Sequence, residues 1–190
     1  MENLISTAER RAILNNEKQT VVRISDFAGV FPAITGKIEM VYEGEQEGPM
    51  RVAQNIVDKA IRNLFVQYFP NPTKVKKKKA QQEEKNIYNE VQKYFEQGNV
   101  LDLLTDISDA SYQSSLDNIT GLRDLVLTKV NGVKKAELNT WMEFVLHGMA
   151  AYSLLSKFQL EEGNKFSDIT SAMFNYGEED VDDDLKELFK

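Results

Sequence analysis

Apolar residues at the start of the chain recur at helical steps. Leu4, Ile5, Ala8, Ala12 and Ile13 fall on one face of a 3.6-residue repeat, which predicts a helix over residues 4–15. The polar stretch 16–20 reads as a turn, and residues 21–24 lead into Ser25, a residue type that caps the free N–H groups of a helix start. Phe27, Val30, Phe31, Ile34, Ile38, Val41 and Tyr42 continue at three- and four-residue steps. Pro32 interrupts that stripe. A proline ring removes a backbone donor and crowds the preceding turn, so a kink or two short helices are expected there. Residues 38–42 are β-branched enough to form a strand instead, and together with residues 21–24 they are the places where a short pairing is expected.

The glycines and Pro49 that follow residue 42 mark a turn, and beyond Pro49 the pattern is clear. Val52, Ile56, Ala60, Leu64 and Phe65 line one face of a helix that Pro70-Asn71-Pro72 must stop. The second half reads as a helical bundle. Its segments are Ile87, Val91, Tyr94 and Phe95, then residues 100–104, then Tyr112, Leu116 and Ile119, then residues 122–130, closed by Asn131-Gly132. Residues 138–160 read as one long helix, apolar all round at its centre, and Phe166, Ile169, Met173 and Phe174 as one more. Trp141, Phe144, Leu155 and Ile119 are expected in a common core. The fold class is therefore all-α: a multi-helix bundle in two helical subdomains with at most a minor short β pairing.

Charge divides the chain where the hydrophobic pattern lapses. Lys74 and the four consecutive lysines 76–79 repel one another and favour an exposed connection, which gives a helical segment over 1–73, a basic and polar linker over 74–85, a helical bundle over 86–176 and an acidic tail over 177–190. The net charge of −7 is spread unevenly, with residues 1–79 carrying +4 and residues 80–190 carrying −11. An acidic chain is repelled at long range by nucleic acid and anionic lipid, so neither is expected as a partner. With no cysteine, disulfides, thiolate metal sites and cysteine nucleophiles are excluded. No apolar run approaches the ~18 residues of a membrane span, and a cytoplasmic setting is expected.

The chemistry-bearing residues are few. No GxxxxGK[ST] phosphate loop or GxGxxG fingerprint is present, and Gly132-Val133-Lys134-Lys135 lacks both the spacing and the hydroxyl. His147 is the only histidine, which rules out multi-histidine metal centres, and its apolar surroundings in sequence favour a structural imidazole over a ligand contact. The acidic cluster 178–184 lacks the calcium-loop pattern, and Glu43, Glu45 and Glu47 alternate in a glycine-rich turn, where a solvated loop is the simpler reading. No catalytic, cofactor-binding or metal-binding residue is assigned.

One resemblance adds to this. Ala8-Glu9-Arg10-Arg11-Ala12, Arg23-Ile24-Ser25-Asp26, Gly36-Lys37-Ile38-Glu39 and Tyr42-Glu43-Gly44-Glu45 stand in an order that resembles the region following the AAA+ core of magnesium-chelatase-type ATPases. Phe144-Val145-Leu146-His147-Gly148 is similar to a second block near the end of such proteins. The resemblance implies the C-terminal region of a ring-forming ATPase, whose nucleotide loop, magnesium-holding motif and sensor arginine would lie in the preceding core. ATP and magnesium are then expected for the parent protein and no cofactor for this chain. The expected partners are the AAA+ core, neighbouring subunits and a protein with a von Willebrand factor A domain. Arg10, Arg11, Lys37, Glu39, Glu43 and Glu45 are the candidate subunit or partner contacts. A stand-alone helical adaptor and a carboxylate-dependent helical enzyme are the alternatives.

Overall fold

The computed structural model describes residues 1–37, 39, 48–73, 86–160 and 163–170. Helix α1 (Glu2–Leu14) turns Ala8, Arg11 and Ala12 inward, and Asn15 closes its end by donating to the Arg11 carbonyl at 2.9 Å. After an extended stretch, a 3-10 helix (Ser25–Gly29) and the short α2 (Phe31–Thr35) follow. Pro32 starts α2 and does not kink a longer helix, because a missing N–H costs nothing in a first turn. Residues 21–24 form no assigned strand, and of the other candidate pairing, 38–42, all but Glu39 lie outside the described residues.

Gly48, at φ 81°, swings the chain into α3 (Pro49–Tyr68), again with proline in the first turn. The helix buries Ala53, Ile61 and Phe65, whereas Ile56 and Leu64 of the expected inward row are exposed. Beyond it come α4 (Asn89–Glu96), strand β1 (Leu101–Leu104), α5 (Asp109–Asp117), α6 (Leu122–Lys129), α7 (Leu138–Ala151) and strands β2 (Ser156–Leu160) and β3 (Gly163–Ser167). Ser108 caps α5 by accepting the Ser111 N–H at 3.2 Å.

The all-α expectation is corrected here: the protein is helix-rich but carries a three-stranded antiparallel sheet in the order β1-β3-β2. Leu101 pairs with Phe166 and Leu104 with Gly163 on one side of β3, and Ser156 pairs with Ser167 on the other. Residues 100–104 were expected in a helical segment, yet Leu101 and Leu103 are buried while Asp102 and Leu104 are exposed, a two-residue period. The expected helix over 138–160 ends at Ala151. Ser153 takes a left-handed φ of 53°, the chain turns, and residues 156–160 pair as β2. Phe166, expected on a helix, sits fully buried on the central strand.

One apolar core joins α3 to the second half of the chain. Phe65 of α3 and Phe69, just past its end, stack at 5.1 Å and pack with Tyr88, Leu103, Met142, Met149 and Phe166. Two glycines permit this closeness. A Cβ on Gly148 of α7 would stand 2.0 Å from the Phe65 ring, and one on Gly163, at φ 153°, would stand 2.2 Å from the Leu103 carbonyl oxygen. Ile119 and Leu155 lie in the core, and Trp141 and Phe144 pack partly buried at its edge, with Trp141 edge-on to Tyr68 at 4.9 Å. No helix among the described residues is long and apolar enough to cross a membrane.

Candidate functional site

Three consecutive backbone N–H groups, those of Arg23, Ile24 and Ser25, stand at the entrance to the 3-10 helix, where helical partners are missing. Each meets a carboxylate. Arg23 N–H donates to Asp26 Oδ2 at 2.7 Å, Ile24 N–H to Glu143 Oε2 at 2.8 Å and Ser25 N–H to Glu143 Oε1 at 3.0 Å. Asp26 comes from the 3-10 helix itself, but Glu143 comes from the middle of α7. A single acidic side chain in an apolar helix thus caps a helix start almost 120 residues earlier.

Two buried arginines bind this junction to α5. Arg11 Nε and Nη2 reach the two oxygens of Asp26 at 3.3 and 3.0 Å, in the bidentate fork that suits a planar guanidinium. Its Nη1 donates to Asp109 Oδ1 at 3.2 Å, and Nη2 also donates to the Val21 carbonyl at 3.0 Å. Arg23 donates to the same Asp109 oxygen at 2.5 Å and to the Ile107 carbonyl at 2.9 Å, with its guanidinium 4.0 Å over the Tyr112 ring. The Tyr112 hydroxyl donates to Glu143 Oε2 at 2.7 Å, and Glu17 Oε1 accepts the Asp109 N–H at 2.6 Å. Arg11, Asp26 and Glu143 are all 0% exposed.

Burial by itself would raise the Glu143 carboxyl. The His147 imidazole 3.8 Å away, the Tyr112 hydroxyl and the Ile24 N–H outweigh it and hold the carboxyl below its ordinary value. Burial, then the Glu143 charge and the bond donated to it, push the Tyr112 hydroxyl well above its usual range. Glu143 therefore stays ionised and Tyr112 stays protonated. His147 stacks edge-on against Phe166 at 5.1 Å, and neither ring nitrogen finds a hydrogen-bond partner among the described residues.

Each buried carboxylate accepts three hydrogen bonds within the chain, Asp26 from Arg11 and the Arg23 N–H, and Glu143 from Ile24, Ser25 and Tyr112. The arrangement fastens α1 and the 3-10 helix to α5 and α7. Beside it lies an open groove of about 650 Å³ walled by Thr20, Arg23, Asp109, Tyr112, Lys135 and Thr140, and a cavity of about 40 Å³ adjoins His147. Among the described residues no group of three or more histidine and carboxylate side chains is placed to hold a metal ion.

The sequence-derived candidates separate. Arg11 does not reach outward, because its guanidinium satisfies Asp26 inside the chain. Arg10 is exposed and pairs with Asp106 at 2.9 Å, and Lys37 and Glu39 are exposed. Glu43 and Glu45 lie outside the described residues, as do the linker 74–85 and the tail 177–190. Glu143 and Asp109 escaped the sequence reading, and Tyr112 entered it only as an apolar position of a helix. The available signal was Glu143 itself, a carboxylate one turn before His147 in an apolar helix, where a charge must find partners. Comparisons with protein-family models, curated proteins and solved structures return no match.

Proposed function

We propose that this chain is the C-terminal region of a magnesium-chelatase-like AAA+ ATPase, a part that makes domain, subunit or partner contacts and performs no hydrolysis itself. The observation that carries the reading is the division of α1 into two faces. Its inner face is locked to the body through Arg11, while Ile5 and Ile13, about two turns apart along its outer flank, remain exposed at 45% and 75%. An apolar face on a helix whose other side is fixed by buried charge is suited to a neighbouring domain. The residues of the resemblance add support. Arg11, from its first block, and Arg23 with Asp26, from its second, form the junction that receives Glu143, next to the later block with His147.

In this reading ATP and magnesium belong to the nucleotide-binding core, and a von Willebrand factor A domain protein is a further partner. Hydrolysis is the core's work, transmitted through contacts of the α1 face. The test has two arms. Titrating the isolated chain with magnesium-ATP should show no saturable site, and a micromolar site that survives added salt overturns the non-catalytic part. In a protein that joins the chain to the ATPase core encoded next to it, Ile5→Asp with Ile13→Asp should reduce ATPase activity or assembly while leaving the fold of this chain intact. The absence of an adjoining phosphate loop, or an unchanged ATPase, favours the stand-alone adaptor.

A further inference from the structure

Helix α3 carries a second apolar row on its outward side. Ile56, Ala60 and Leu64 step by four residues and are all exposed, Ile56 at 53% and Leu64 at 46%, whereas Ile61 and Phe65 are buried on the other side. Lys59 is exposed beside this row, and α3 carries two more exposed cations, Arg51 and Arg62, while Asp58, its only acid, is engaged by Lys157 Nζ at 2.5 Å. An apolar line on a helix of net positive charge, with Lys59 at its flank, fits an acidic amphipathic segment.

The chain carries such a segment. Residues 178–190 hold seven acids against two lysines, and Val181, Leu185, Leu188 and Phe189 are spaced as a helix would place them on one face. We propose that this C-terminal segment docks on the Ile56-Ala60-Leu64 row, its acids facing Lys59 on a helix of net positive charge. Its starting point is close to α3: Ser167 at the end of β3 pairs with Ser156, and the next residue of β2, Lys157, is the one bonded to Asp58. The ten residues 171–180 can bridge up to about 33–36 Å. The row from Ile56 to Leu64 is about 12 Å long, and a helix over 181–189 would match it.

Because the protein has no cysteine, a cross-link can test this in the full chain. Ala60→Cys with Leu185→Cys joins the centres of the two rows. Leu127→Cys with Leu185→Cys supplies a reference, since Leu127 is 52% exposed on α6. With oxidised glutathione in dilute solution, the Ala60 pair should form an intramolecular disulfide at least about ten-fold faster than the reference, as a raised effective concentration requires. Adding Ile56→Asp should return it to the reference rate, with the circular dichroism spectrum unchanged, and high salt should slow it. Equal rates for the two pairs, or no effect of Ile56→Asp, overturn the proposal. Disulfide-linked dimers as the main product overturn it in favour of a second copy on this face.

Discussion

Around Phe65, Leu103 and Met149, side chains lose water to matching apolar surface. Around Arg11, Asp26 and Glu143 they lose it to matching charge and directed hydrogen bonds. The two regions bury their residues equally completely, but they fail differently. An apolar contact is graded, since each lost methylene removes a little transfer energy and leaves a void that neighbours partly fill. A charged contact is closer to all-or-none, since one missing partner strands a desolvated charge. The apolar region therefore sets how stable the body is, and the charged seam sets whether α1 and the 3-10 helix stay in register with α5 and α7.

The sharpest way to break this contrast is Asp26→Ala, which leaves Arg11 without its bidentate acceptor and Arg23 N–H without a bond. A loss of about 3–5 kcal/mol in urea unfolding is expected, with most of it recovered in the double variant Arg11→Met, Asp26→Leu. No recovery would mean that the seam tolerates only charge. Leu103→Ala in the apolar region should cost about 2–5 kcal/mol, with no partner substitution able to restore it.

Tyr112→Phe removes one hydrogen bond to a buried carboxylate and should cost about 1.5–3 kcal/mol. Combined with Glu143→Gln, the losses should be less than additive, because both act on one bond. The pH dependence sharpens the same point. Glu143 is held below its ordinary value in the folded chain, so its contribution is fully present above about pH 4.3, the unfolded value, and is lost as pH falls through the folded value. The stability gap between wild type and Glu143→Gln should accordingly be constant near neutrality and shrink in acid. A gap that widens in acid would show the sign to be wrong. The smallest effect is expected at Arg10→Ala, whose partner Asp106 is also exposed: about 0–1 kcal/mol, falling further with salt.

Legibility in the sequence followed the length of the pattern. The starts of α1 and α3, Pro32 and Pro49 as first-turn residues and the apolar character of α7 all rest on neighbours within a turn or two. The sheet was missed because β1 has four residues and β2 and β3 five each, too few for a two-residue period to stand out from a helical one. The seam was legible only in part. Arg11, Arg23 and Asp26 belonged to the blocks that drew notice, but nothing near Glu143 in the sequence indicates that its partners are the amides of Ile24 and Ser25.

By itself, then, the sequence determined which segments favour helix, which faces are apolar, and that thiol, multi-histidine and phosphate-loop chemistry are absent from this chain. Tertiary structure decided which apolar row of α3 is covered, that the end of the expected long helix becomes β2, and that Arg11 points inward while Arg10 points out. The reason is that local spacing fixes the direction in which a side chain leaves the backbone, whereas burial depends on what the chain brings back to that direction from far away. For α3 it brings α7, through the contact of Phe65 with Gly148, and for Arg11 it brings Asp109, 98 residues later.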